Sequence, residues 1–367
     1  MKRRAFLLLV ALAACRREAP APVTRPSILL VTLDTTRADA IGPDTPSFNA
    51  LVRRGRSFHY AYATVPQTLP SHGSMMTGLY PAGHGVHENA RFFAGNQPLL
   101  AEELHKAGYR TAAFVSAFAL ARRFGLARGF DLYDENFANA QAERPAQETT
   151  DRALAWLAES SQQPRFLWVH YYDPHYPYVP PEPFRTRYAA NPYRGEVASM
   201  DAQLGRLLDA FQKQPSPTAI VVVADHGEGL GEHGEQQHGN LLYQATMHVP
   251  LVIAGPGITA GFSDTPVSTR RVFHTILDWA GIASTNSLRA SDNEVVLGEA
   301  MRPFLDYGWQ PQVMAVDGQQ KTILAGTTEV YDVVADPHEL HNLADRASVS
   351  RSARAALRDY PIPSAAA

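Results

Sequence analysis

Residues 27–34 read SILLVTLD, a run long enough for one strand and closed by an acid. Apolar side chains fill it almost continuously instead of at every second position, which is the pattern of a strand covered on both faces, as in parallel sheets flanked by helices. Four further runs share this character: residues 111–116 (TAAFVS), 166–171 (FLWVHY), 219–224 (AIVVVA) and 250–254 (PLVIA). Helical signals lie between and after them. Residues 46–54 have Thr45 at the cap position and Pro46 in the first turn, and residues 99–107 stop at Gly108; residues 147–159, 194–212 and 269–280 follow. This alternation predicts an α/β fold, a large layered domain with a mainly parallel central sheet flanked by helices over residues 27–284. Beyond it, the shorter pieces VMAVD, KTILA and EVYDV predict a small C-terminal α+β subdomain with an antiparallel sheet, residues 285–355, and a tail at 356–367.

The 367 residues are 45% hydrophobic and 19% charged, enough apolar material for one large core and a smaller one. A formal charge of −3 with no basic tract argues against a nucleic-acid partner. Residues 1–14, MKRRAFLLLVALAA, have the cationic start, apolar run and small residues of a secretory signal and are too short to span a bilayer. Cys15 is the chain's only cysteine, so no intramolecular disulfide can form. The run LAAC at 12–15 resembles the lipobox of bacterial lipoproteins, which implies a signal peptide over 1–14, an acylated Cys15 and a proline-rich tether over 15–26. The expectation is an exported lipoprotein, anchored to the membrane through the lipid on Cys15 and facing the periplasm or the cell exterior. An ordinary secretory signal with an incidental cysteine is the alternative.

Two of the apolar runs end in acids. Asp34 closes the first, and Asp225 with His226 closes AIVVVADHGE. In open α/β sheets the ligand crevice lies at the carboxyl ends of the strands, so these side chains are placed to converge. TLPSHGSMMTG, residues 68–78, adds a hydroxyl: Pro70 suits a first helical turn, which puts Thr68 at a helix N-terminus, where anions are favoured. Two carboxylates, an imidazole and a hydroxyl form a plausible set of metal ligands, Asp34, Asp225, His226 and Thr68. A hydroxyl is a weak nucleophile until a base or a metal lowers its pKa, so Thr68 is also the candidate nucleophile.

The blocks VTLDTTRADAIG, TPSFNALVRRG, TLPSHGSMMTGLYPAGHGV, LAEELHKAGYRTAAFVS, FLWVHYYDPHYPYVPP, VVVADHGEGLGEHG, HGNLLYQATMHVPLVI and EVYDVVADPHELHNLA follow in that order. In this series the chain resembles the sulfatase family of the alkaline phosphatase superfamily over nearly all of its length from residue 27. The resemblance implies metal ligation by Asp34, Asp225 and His226. It places Thr68 where true sulfatases carry the cysteine or serine that is oxidised to formylglycine, so no formylglycine is expected. His72 stands where the motif has arginine, and Thr35 where many members have a second ligand aspartate. Asn89 lies near a position that contacts substrate oxygens, and His175 and His238 match basic positions facing the transferred group and the leaving group. The implied catalytic set is Thr68, His72, His175, His238 and Asn89.

The departures bear on substrate. Related branches with an unmodified threonine act on phosphate diesters, phosphonates or phospholipid head groups, and none of the four lysines here falls in a strand-end motif, where histidines predominate instead. One divalent metal, calcium, manganese or zinc, is expected, with the imidazole ligand moving the donor set toward the latter two. Asp173, His175 and His238 offer donors for a second metal at a narrower spacing than dimetal relatives lead one to expect, so a single ion is preferred. Residues 227–239, GEGLGEHGEQQHG, are expected as a flexible loop with partly solvated acids and histidines. The function implied is metal-dependent hydrolysis of sulfate or phosphate esters, the substrate being an anionic ester of a glycan or lipid head group. Alternatives are a phosphodiester or phosphonate hydrolase, a phospholipid head-group transferase, and a noncatalytic lipoprotein that binds anionic glycans.

Overall fold

The structure, a computed structural model, describes residues 25–137, 143–290 and 293–364; the expected signal peptide, Cys15 and most of the tether lie outside them. Ser27–Leu33 is buried at all seven positions, inside an eight-stranded sheet. The strand order is Gly261–Ser263, Arg56–Phe58, Leu251–Ala254, Thr218–Ala224, Ser27–Leu33, Arg165–Tyr171, Arg110–Phe114 and Leu132–Asp134. Leu251–Ala254 runs antiparallel to both of its neighbours, and the other pairings are parallel. The five expected strands are all present. Gly261–Ser263, Arg56–Phe58 and Leu132–Asp134 are three residues each, too short to leave a periodic signal.

Register is what builds the site. Leu33 pairs with Ala224 on one side and Tyr171 on the other, so the three central strands end level. Asp34 N–H donates to Tyr171 O at 2.9 Å and Asp225 N–H to Leu33 O at 3.2 Å, carrying the alignment one residue past the strands. Thr32 pairs with His170, which puts that residue two positions below the two acids.

Two groups of helices flank the sheet. Pro192–Phe211 packs against Pro46–Val52 and Ala146–Ala158, while Thr68–Thr77 packs with Leu100–Lys106 and Arg271–Trp279. The expected Thr45 cap is not made, because that hydroxyl turns back to Gly42 O at 3.0 Å. Asp201 of the long helix caps Pro46–Val52 instead, accepting Ser47 N–H and Phe48 N–H, both at 2.8 Å. No helix among the described residues is long and apolar enough to cross a membrane.

The C-terminal sheet is antiparallel, in the order Val296–Ala300, Gln312–Asp317, Gln320–Ala325 and Thr327–Asp332. Arg351–Arg358 packs on Gln312–Asp317 and runs past residue 355, where the sequence reading placed the start of the tail. Buried ionisable groups tie this unit to the segments bearing the site. Glu299, fully buried, meets His87 Nδ1 at 2.6 Å and Tyr360 Oη at 2.7 Å. Lys321 and Glu339 form a buried ion pair at 2.8 Å, and Glu339 accepts Gln244 N–H.

Candidate active site

Asp34, Asp225 and His226 converge at the level strand ends, with ligand atoms within 4.8 Å of one another and no side-chain exposure. His226 Nε2 lies 3.5 Å from Asp34 Oδ1 and 3.6 Å from Asp225 Oδ2. Its Nδ1 lies 2.9 Å from Gly227 O, and since a carbonyl only accepts, Nδ1 carries the proton and Nε2 keeps its lone pair. Gly227 is required at the next position: a Cβ there would stand 2.0 Å from Ala245 O.

Both Asp34 oxygens, Asp225 Oδ2 and Thr35 Oγ1 are buried without a hydrogen-bond partner. Two adjacent carboxylates kept from water and from donors are costly unless a cation joins them, so the donor set fits a divalent ion. The cluster's electrostatics agree with this. Burial and the neighbouring Asp34 raise Asp225 well above the usual carboxylate range. Burial also raises Asp34, but the His170 imidazole 3.3 Å away and the other surrounding imidazoles outweigh it and hold that carboxyl low. Burial, and then His238, push His226 down to about 3, the neutral form that ligation requires.

Thr68 opens the helix Thr68–Thr77, and its Oγ1 stands 3.5 Å from His226 Nε2. Asn89 Oδ1 accepts Leu69 N–H at 2.8 Å, capping this helix start, so the Asn89 amide nitrogen is the atom left for a substrate oxygen. A cavity of about 480 Å³, lined by Gln67, Asn89, Arg91 and Arg302 together with Glu88 and Asp306, opens beside it.

Opposite Thr68 the imidazoles form a wall, His226 against His238 at 4.4 Å between ring centroids and His238 edge-on to His175 at 5.2 Å. Glu228, fully buried, lies 2.8 Å from His238 Nδ1 and accepts Tyr178 Oη–H at 2.9 Å. That fixes the ring and leaves His238 Nε2 for chemistry. His175 stacks on Tyr172 at 4.3 Å, with its Nδ1 2.8 Å from Tyr176 O.

The sulfatase family model matches residues 26–282. The chain belongs to the sulfatase family. It is accordingly an ester hydrolase of the sulfuric or phosphoric ester class. This sulfatase-family chain is similar to a choline-sulfatase of Rhizobium meliloti (strain 1021), 26% identical over 91% of the chain and 86% of that protein. Among solved structures it is similar to a phosphonate monoester hydrolase of Agrobacterium radiobacter, with a TM-score of 0.73, 20% identity and 88% and 92% of the two chains covered. It is also similar to a structure in complex with its substrate D-glucosamine-2-N,6-O-disulfate, with a TM-score of 0.76, 19% identity and 91% and 96% covered.

In this sulfatase-family site, Thr68, Asn89, His175 and His238 stand around the carboxylate pair, whereas His72 is buried beneath it with no face toward the cavity. The second metal site is not assembled. Asp173 Oδ2 accepts Ala146 N–H at 2.7 Å, capping Ala146–Ala158, and so is committed away from His175 and His238. The 227–239 loop is also more ordered by contacts than expected: Glu235 accepts Asn240 N–H at 2.9 Å, and Glu232 pairs with Arg37 at 2.7 Å.

Sequence reasoning missed His170, Glu228 and Glu196. A lone polar residue in FLWVHYY was the available signal for the first. Glu196 lies on the long helix and accepts His175 N–H at 3.1 Å and Val179 N–H at 2.6 Å, pinning the segment that carries His175. Burial, and then the Asp173 carboxylate, raise Glu196 from 4.5 to about 8. The folded state therefore binds this proton more tightly than the unfolded chain, and stability falls as pH rises through that interval. Thermal melts of the wild type should lose several degrees between about pH 5 and pH 8 relative to Glu196→Gln, and parallel profiles would exclude this role.

Proposed function

We propose that the chain is a metal-dependent hydrolase of monoanionic esters with unmodified Thr68 as nucleophile, phosphonate monoesters and phosphodiesters being preferred to sulfate monoesters. The observation that carries it is the Thr68 hydroxyl at a helix start, 3.5 Å from the free nitrogen of His226, which itself lies 3.5 Å and 3.6 Å from unpartnered oxygens of Asp34 and Asp225. Asp34, Asp225, His226 and Thr68 would hold the ion. When bound, that ion would polarise a nonbridging oxygen and lower the hydroxyl pKa.

Charge balance supports a monoanion. The side chains gathered at Thr68 are two carboxylates, neutral imidazoles and an amide, and a divalent ion brings that set to zero. Arg37, next along the chain, is committed to Asp39 and Glu232, both at 2.7 Å. Arg91 and Arg302 of the adjoining cavity are paired with Glu88 and Asp306, so a dianionic phosphate monoester would find no excess positive charge, whereas a group with one negative charge needs less.

Thr68 Oγ1 attacks the central atom in line as its proton passes to solvent and the bond to the leaving oxygen breaks, and the Asn89 amide steadies one of the nonbridging oxygens. His238, oriented by Glu228, takes up a proton at Nε2 from solvent and passes it to the leaving oxygen, and His175 stands next to it. Water then attacks the threonyl ester, releasing the acid and restoring the hydroxyl. The resemblance supports phosphorus, because the related branches with an unmodified threonine act on phosphorus esters. Export and attachment through a lipid on Cys15 belong to this reading, and the mass of the mature N-terminus checks them.

The test is a matched nitrophenyl panel of phosphonate monoester, phosphodiester, sulfate and phosphate monoester on the metal-loaded protein. The monoanionic phosphorus esters should give the highest kcat/KM. A phosphate monoester turned over best would contradict the charge argument, sulfate turned over best would contradict the phosphorus preference, and binding without turnover of any ester would favour the noncatalytic reading.

A further inference from the structure

Three imidazoles, those of His72, His170 and His226, surround the two carboxylates, and their hydrogen bonds assign each proton. His226 has its proton on Nδ1, as shown above. In His170 the order is reversed: Ser116 backbone N–H donates to Nδ1 at 3.3 Å, which leaves the proton on Nε2, 3.3 Å from Asp34 Oδ2. The Thr68 carbonyl fixes His72, because a carbonyl only accepts and His72 Nδ1 lies 2.8 Å from it. Its Nε2 is then the acceptor and takes the proton of the Thr32 hydroxyl at 2.9 Å, while that oxygen accepts the Trp168 indole N–H at 3.0 Å. The His72 proton therefore sits on Nδ1, 2.8 Å from Thr68 O and 3.5 Å from Asp225 Oδ2. Both rings are fully buried and lie edge to face at 5.1 Å.

We propose that His170 and His72 are positioning residues, neutral N–H donors that hold Asp34 and the Thr68 turn for a single cation, and that His226 alone among the three imidazoles ligates it. The atoms of His72, His170 and Asp225 lie within 4.8 Å of one another, close enough for a second ion by distance alone. Protons on both nitrogens that face Asp34 and Asp225 exclude it. The inference rests on the metal-centred reading and adds the division of labour within it: His170 N–H faces Asp34 Oδ2 at 3.3 Å and leaves Oδ1 toward His226, while His72 N–H fixes the carbonyl of the nucleophile residue. His72 thus supplies a donor without adding charge beneath the carboxylates.

Zinc-edge X-ray absorption of the zinc-loaded protein should fit one imidazole nitrogen per zinc and one zinc per chain. A shell with two or three imidazoles, or two zinc ions per chain, would overturn the proposal. This count uses the unaltered protein and stands whether or not variants fold. In a chelator competition, His170→Leu should bind zinc about 10- to 100-fold more weakly, whereas His170→Gln, whose amide nitrogen reaches the Nε2 position, should stay within about threefold of wild type. Unchanged affinity in His170→Leu overturns this inference alone. A wild-type protein that binds no zinc overturns the metal-centred reading, and this inference with it.

Discussion

Replacing Thr68 by alanine should lower kcat by about 1,000-fold or more while leaving the melting temperature within about 2 °C of wild type. The two halves of this expectation have separate causes. Chemistry fails because the hydroxyl at the free nitrogen of His226 is lost and the nearby ones are committed elsewhere: Ser71 Oγ donates to Asp225 O at 2.6 Å, and Thr35 Oγ1 is buried on a residue held at φ 47° whose carbonyl accepts Tyr193 Oη–H at 2.9 Å. Stability holds because Thr68 Oγ1 has a single weak polar neighbour, His226 Nε2 at 3.5 Å, so truncation removes little beyond a methyl group. Thr68→Ser keeps the hydroxyl and should retain measurable turnover. Steady-state kinetics and thermal melts of the three proteins decide it, and an alanine variant with more than a tenth of wild-type kcat would remove Thr68 from the chemistry.

Stripping the metal should have the other large effect, a loss of at least about 1,000-fold in kcat together with a fall of about 5–10 °C in melting temperature. The stability change follows from Asp34 and Asp225. Both are fully buried, three of their four carboxylate oxygens lack a partner, and an ion held at 100 to 1,000 times its Kd contributes roughly 3–4 kcal/mol. Zinc or manganese should restore activity better than calcium, because one ligand is an imidazole nitrogen. Calorimetry and rates on the chelated and reloaded protein measure both effects. Unchanged melting and turnover after complete removal, verified by elemental analysis, would refute the metal-centred site.

Much of this was legible in the residues. Asp34, Asp225 and His226 each follow a continuous apolar run, and a parallel sheet whose strands end level must bring them together. Pro70 marked the helix start that presents Thr68. What could not be read depends on facts that a single strand does not contain. His170 sits below the acids because Thr32 pairs with it, and that register is a property of two strands. Glu228 looked like one more acid in a polar loop, yet it is buried under Tyr178 and holds His238. Asp173 was set aside as a metal donor on spacing alone, and spacing cannot show what it does instead, which is to accept Ala146 N–H. Thr45 had the right residue type for a cap, and a carboxylate far along the chain, Asp201, took that role instead.

The central claim is an ester formed on the Thr68 side chain. It is tested most directly by quenching the metal-loaded protein in acid during turnover of a nitrophenyl phosphonate and mapping its peptides by mass spectrometry. The account predicts a phosphonyl adduct on Thr68 in wild type and none in Thr68→Ala. An adduct on another residue, or steady turnover with Thr68 unmodified under conditions where release is slower than attack, would contradict it.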